Sequence, residues 1–236
     1  MKENPKRVQK PVLSVYQIGV ALFIGYILGP IIVSNTVILI NPLLPPAYQM
    51  LVQQVSTVLI WLMILTVFAY PSPSRLFDFL GLKLAVSKSK TLWYSTVLCI
   101  VSIALTFGLS FLWQALEFDV AQNNPYKNLT QSQFFILTFF ATVVAPLQEE
   151  LIFRGLVQST LRLVSGPVKA IGLTTLVFLL FHGSYANHVP ALLHVTSLGL
   201  CFAIAREKTG SLIPGIIAHF LNNTLASVLL FKQLGH

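Results

Sequence analysis

Charge is what this sequence has least of. Only 9% of its 236 residues are Asp, Glu, Lys or Arg, against about 25% in an ordinary soluble domain. So little charge cannot cover a water-exposed surface, which excludes a soluble globular enzyme and a charge-rich disordered chain. Cysteine is scarcer still. The two present, Cys99 and Cys201, each lie inside an apolar run with no second ligand at zinc spacing. A disulfide scaffold and a cysteine zinc site are therefore excluded, and both residues are expected to pack in the core. Acidic residues number seven against fifteen Lys and Arg, for a net charge of +8. The basic residues form no stripe interleaved with aromatics, so nucleic acid is not an expected partner.

Apolar residues are abundant. They make up 55% of the chain and give a mean hydropathy of +0.78. Seven apolar stretches run over 13–40, 51–70, 91–115, 132–158, 168–187, 190–205 and 211–231. All but the sixth are near or above the ~20 residues that cross the hydrocarbon core as a helix. Lipid offers backbone groups no partner, so such stretches are helical. Asn41-Pro42, Pro45-Pro46, Pro71-Ser72-Pro73, Ser165-Gly166-Pro167 and Thr209-Gly210 punctuate them. The amphipathic stretch Leu76–Leu84 is expected to lie at the membrane interface. The fold class is therefore all-α, a polytopic transmembrane bundle of about seven to eight helices in contact with the lipid bilayer.

Lys2, Lys6, Arg7 and Lys10 precede the first apolar run. That run is too long for a signal-peptide core and lacks a small-residue cleavage site, so it is expected to stay as the first helix. The basic residues also give a direction. Those four, with Arg75, Lys83, Lys88, Lys90, Arg154, Arg162, Lys169, Arg206 and Lys208, fall on one side of the alternating spans. Only Lys127 and Lys232 fall on the other. This bias places the N-terminus in the cytoplasm, in the plasma membrane if the cell is bacterial, and seven spans would leave the C-terminus outside. Gly25-x-x-x-Gly29 is expected to let two helices of the bundle approach closely. The Asn128-Leu129-Thr130 triplet is too common a pattern to carry weight.

Five of the acidic residues fall in tails or loops. The other two, Glu149 and Glu150, are adjacent within the fourth apolar stretch. A charge near the bilayer centre costs about 2.5–3.5 kcal/mol on insertion scales, so the pair needs a compensating reason. Arg154 stands four residues after Glu150, on the same helix face. Glu149 points about 100° away and lacks that partner. If Ser165-Gly166-Pro167 is the turn between the fourth and fifth helices, Glu149 and His182 lie 17 and 16 residues from Gly166. Each is then about 25 Å along its helix, at nearly the same height. Phe178, four residues before His182, can pack beside it. In the seventh stretch His219 and Asn223 share a face, with His219 about 14 Å from Gly210. It reaches the same level only if the fourth and fifth helices project about 11 Å further, which the polar run Gln158, Ser159, Thr160, Arg162 and Lys169 makes plausible. His194, His188 and His236 have no companion at useful spacing and are not expected to act.

Three segments carry a resemblance. Glu149-Glu150-Leu-Ile-Phe-Arg154, Phe178-Leu-Leu-Phe-His182 and His219-Phe-Leu-Asn-Asn223 are intact, in order, on successive apolar stretches. They resemble the CPBP family of intramembrane proteases, which includes type II CAAX prenyl endopeptidases and bacteriocin-processing relatives. The resemblance covers roughly residues 130–230. It divides the chain into N-terminal helices over 1–130, which carry no signature, and a catalytic core over 131–236.

The resemblance implies an endopeptidase acting on membrane-anchored peptides, prenylated C-terminal tails among them. It makes Glu149 the general base that holds a water with His182, and His219 and Asn223 the oxyanion donors. Glu150 and Arg154 would be a supporting ion pair, with headgroups or a substrate carboxylate as the other partners open to Arg154. A water-filled cavity should open toward the cytoplasmic leaflet. No cofactor is favoured. Zinc held by Glu149, His182 and His219 is the runner-up, although no H-E-x-x-H helix is present. Two other classes remain open: a non-catalytic binding or bacteriocin-immunity protein on the same scaffold, and a proton-relaying transporter.

Overall fold

A computed structural model describes residues 13–41, 43–69, 73–82, 87–115, 129–183 and 189–233. Lys2, Lys6, Arg7, Lys10, Lys83, Glu117, Asp119, Lys127, Asn128, His188 and His236, on which expectations were placed above, lie outside the described residues. Among the described residues there is no strand and there are eight helices. They are α1 (Val15–Ile40), α2 (Pro46–Ala69), α3 (Pro73–Leu80), α4 (Lys88–Ala115), α5 (Gln131–Ser165), α6 (Pro167–Leu180), α7 (Val189–Thr209) and α8 (Ile213–Gln233). The all-α bundle expected from the apolar stretches is what forms.

Local chemistry sets the boundaries. Ser14 begins α1 and Thr130 begins α5 with reciprocal capping boxes, through Gln17 and Gln133 respectively. Gly166 takes φ +80°, where only glycine is unstrained, and Pro167 then opens α6. Gly210, at φ +66°, makes the corresponding break between α7 and α8.

Among the described residues five of the seven expected spans, α1, α2, α4, α5 and α8, are helices long and apolar enough to cross a membrane. The fifth stretch yields α6 with 14 residues, about 21 Å of helix against a core of about 30 Å. The sixth yields α7, whose last turn carries Arg206 and Lys208. The chain is an integral membrane protein.

Two apolar clusters hold the bundle. One joins Ile18 and Ala21 of α1, Trp61 and Ile64 of α2, Leu76 and Leu80 of α3, and Ile152, Leu156 and Val157 of α5. The other joins Leu98 of α4, Leu198, Phe202 and Ala205 of α7, and Ala218 of α8. The amphipathic helix α3 docks on α5, where a side chain at Gly155 would meet Leu80 at 2.9 Å. Arg206 fastens it there, donating to the Phe79 carbonyl at 3.2 Å and to the Ser159 hydroxyl at 3.2 Å. Gly25 and Gly29 do make a close approach within the bundle, against Trp61 and Ile60 of α2.

The longest helix is the least regular. α5 widens to π-type turns over Phe140–Val144 and Glu150–Val157. The first has a plain cause. Pro146 has no N–H to give and its ring would crowd the carbonyl one turn back, so the turn opens. The Ala145 N–H then reaches five residues back, to Phe140. In that register the Ala141 carbonyl would be paired with Pro146, which cannot donate.

Candidate active site

Glu149 lies just before the second widened turn of α5 and Glu150 opens it, and the two side chains diverge. Glu150 turns into the bundle, with 1% of its side chain exposed, while Glu149 keeps 20%. Glu150 Oε1 accepts from Arg154 Nη1 at 2.9 Å and lies 3.3 Å from His219 Nδ1. A carboxylate held by a guanidinium accepts rather than donates, so His219 Nδ1 carries the proton. Its Nε2 points the other way, 3.8 Å from Glu149 Oε2.

His182 approaches the same oxygen from α6, with Nε2 also 3.8 Å from Glu149 Oε2. Its Nδ1 donates to the Phe178 carbonyl at 2.8 Å. This fixes the tautomer: in the neutral ring Nε2 is an acceptor. The Phe178 ring lies 4.3 Å from the His182 ring, centre to centre, so the packing expected from their spacing is present. The common height expected for Glu149 and His182 holds, and His219 joins them. The longer reach of α5 and α6 beyond their turn offsets its shallower position.

Arg154 is fully buried. Its guanidinium bonds Glu150, donates to the Gly199 carbonyl at 3.0 Å, and lies over the rings of Phe178 at 4.3 Å and Phe202 at 5.4 Å. Two expectations are thereby corrected. Arg154 reaches neither headgroups nor a substrate, and it is not one of the cations marking a membrane face. One turn on, Gln158 donates to the Ala203 carbonyl at 2.8 Å. Donors four residues apart on α5 thus meet carbonyls four residues apart on α7.

Asn223, one turn after His219 on α8, bonds the backbone of α5. Its Nδ2 donates to the Ala141 carbonyl at 2.9 Å, the acceptor that Pro146 leaves without a backbone donor. Its Oδ1 accepts from Asn222 Nδ2 at 3.1 Å. The amide therefore ties α8 to the widened turn just before the acids.

Several residues at the site escaped the sequence reading. Gly215 lies four residues before His219, and a methyl group there would meet Glu150 Oε2 at 2.7 Å. The Gly-x-x-x-His spacing on one helix face was the available signal. Phe202 packs on the His219 ring at 5.2 Å, and Gly199 supplies a carbonyl. Neither stands at a spacing that sequence alone distinguishes from core packing. Tyr26 of α1 lies beside Gln148 and Glu149, and its ring stacks on Phe153 at 5.7 Å. Nothing in the signature-free N-terminal half marks it.

A cavity of about 300 Å³ opens beside Glu149, between α1, α2 and α5. Among the described residues no group of three or more His, Cys, Asp and Glu side chains is arranged to hold a metal ion.

These features define a class: a polytopic helical membrane protein that carries an acid–histidine centre in its interior beside a cavity. Residues 131–225 match the family model described as type II CAAX prenyl endopeptidase Rce1-like. The resemblance read from the three motifs is thus shown for that part of the chain, which is similar to a family of membrane proteases. No curated protein and no solved structure matches the chain.

Proposed function

We propose that the protein is an intramembrane endopeptidase that hydrolyses membrane-anchored peptides with a water activated by Glu149. The observation that carries this reading is the convergence of two imidazole Nε2 atoms on Glu149 Oε2 at 3.8 Å each. That spacing is too long for a hydrogen bond and suits one water about 2.8 Å from each atom. Because His182 Nε2 is an acceptor, the water can give one hydrogen to it and the other to Glu149. Its lone pair is then left to attack a peptide carbonyl. Glu149 takes the proton as the bond to carbon forms, and can return it to the leaving amine.

His219 and Asn223 would serve the oxyanion. His219 would donate from Nε2 in its doubly protonated form, with Nδ1 turned to the Glu150 carboxylate at 3.3 Å. Asn223 spends one Nδ2 hydrogen on Ala141 and keeps the other. Preorganised donors of this kind are worth about 2.7–4 kcal/mol each in acyl transfer. The family match supports a prenylated C-terminal tail as the first substrate to try. The orientation proposed is N-terminus in the cytoplasm, from the bias in basic residues.

The test is hydrolysis of quenched membrane peptides, prenylated and unprenylated, by purified wild type and Glu149→Gln, with and without a strong chelator. Loss in the variant with retention in chelator is the expected result. Loss in chelator as well would establish the zinc form, with Glu149, His182 and His219 as ligands. Full cleavage by Glu149→Gln would sink both, and biological activity surviving loss of Glu149 and His182 would establish the binding or immunity reading.

A further inference from the structure

The cavity beside Glu149 draws on the half of the chain that the family model does not reach. One wall is α5: Phe140, Val144, Ala145, Gln148 and Glu149. The opposite wall is α2, and its contribution is unexpectedly polar: Gln53, Gln54 and Thr57. α2 is otherwise a strongly apolar span with hydropathy 2.0. Adjacent glutamines in such a span cost insertion energy and call for partners. Gln54 Oε1 is buried and has no hydrogen-bond partner. Thr57 turns its hydroxyl hydrogen back to the Gln53 carbonyl at 2.8 Å, leaving its oxygen as an acceptor. The Tyr26 hydroxyl adds a group that both donates and accepts, between this wall and Glu149.

Neutral amides and hydroxyls facing an apolar wall match the chemistry of an extended peptide, whose backbone offers N–H and C=O groups in alternation and side chains to either side. A charged headgroup would find no cation here, and an isoprenoid chain would leave the glutamine amides unsatisfied. At about 300 Å³ the space is at the lower end of ligand pockets, enough for a few residues and not for a folded domain. We infer that this cavity is the subsite for the peptide backbone flanking the scissile bond, and that Gln54, with Tyr26, sets the register of the substrate against Glu149. This rests on the proteolytic reading above. It makes Gln54 a positioning and specificity residue supplied by α2.

The experiment uses the full-length protein in nanodiscs and a synthetic 12-residue peptide farnesylated on a cysteine four residues from its C-terminus. A second copy of the peptide is N-methylated at the backbone amides flanking the scissile bond. Binding is read on Glu149→Gln protein and hydrolysis on Glu149-intact protein, so that an inactive enzyme and an empty cavity give different results. Gln54→Leu, which suits a membrane span, should weaken binding of the unmodified peptide about 10-fold and raise KM by a similar factor with kcat within about 2-fold. The N-methylated peptide should bind the protein with Gln54 intact about 10-fold more weakly than the unmodified one, and lose nothing further in Gln54→Leu. Tyr26→Phe, which keeps the ring stacked on Phe153, should show the same pattern and guards against misfolding of the first variant. Unchanged binding and KM in both variants, or equal losses for both peptides, would overturn the assignment. Weaker binding of only the farnesyl group would give the cavity to the lipid instead and overturn it too. Absence of hydrolysis with binding still sensitive to Gln54 would sink the protease reading and keep the peptide subsite.

Discussion

Replacing Arg154 with methionine removes a fully buried charge. Arg154 and Glu150 are both essentially without solvent contact. The guanidinium is the nearer of the two groups on Glu150 Oε1, at 2.9 Å against 3.3 Å for His219. Methionine fills much of the same volume, so the main loss is electrostatic. Breaking a buried pair by removing one partner costs about 3–5 kcal/mol, because the other charge stays buried and uncompensated. Loss of the two ring contacts adds roughly 0.5–2 kcal/mol. Replacing both members is different, since buried pairs often yield to apolar groups at little cost. Arg154→Met alone is therefore expected to lower stability by at least about 3 kcal/mol, and Glu150→Gln with Arg154→Met to recover more than half of that. Activity should not recover, because glutamine takes away the carboxylate that faces His219 Nδ1. Denaturation by SDS titration in mixed micelles, followed by tryptophan fluorescence and paired with peptide hydrolysis, separates the two effects. A single variant within about 1 kcal/mol of wild type, or a double variant less stable than the single, would refute the reasoning.

Gly215→Ala should be poorly tolerated although the position is helical and alanine favours helices. Its methyl group would stand 2.7 Å from Glu150 Oε2, and that carboxylate is pinned by Arg154 and His219. We expect a loss of about 1–3 kcal/mol and a fall in kcat larger than the change in KM. Thermal unfolding and steady-state hydrolysis check this, and an unaffected Tm would count against it. Asn223→Ala should cost about 1–2 kcal/mol by stranding the Ala141 carbonyl. Pro146→Ala supplies the missing N–H, so the same change should cost less than half as much in that background, with hydrolysis impaired in both. An equal cost in the two backgrounds would show that Asn223 does not act through that carbonyl.

Much of the bundle was legible because apolar runs and Gly or Pro punctuation are local signals. The turn at Gly166 lies where Ser165-Gly166-Pro167 placed it, and the meeting of Glu149 with His182 followed from counting 1.5 Å rises on either side of it. What failed was whatever depends on which neighbour arrives. The charge of Arg154 read as a face marker because nothing in the sequence shows Gly199, Phe178 and Phe202 closing over it. α6 ends at Leu180, short of the apolar run 168–187 that marked it, while α7 outruns its stretch 190–205 and takes in Arg206 and Lys208. The first widened turn of α5 was latent in Pro146, but not its satisfaction by an amide 77 positions later, from Pro146 to Asn223. Tyr26 and Gln54 stand on helices without motifs, and only the assembled cavity gives them meaning.

The spacing of Glu150 and Arg154 on one helix also bears on how the protein can be made. Helices that enter the bilayer in the order of synthesis bring α5 there before α6, α7 and α8 have packed around it. Carried in separately, an acid and a base would each cost about 2.5–3.5 kcal/mol at the membrane centre. Placed four residues apart they neutralise one another within the helix itself, before any partner is available. α5 thus brings its own counterion to the translocon. The later helices inherit a prefolded polar knot, onto which Gly199, Phe202, Gly215 and His219 have only to close.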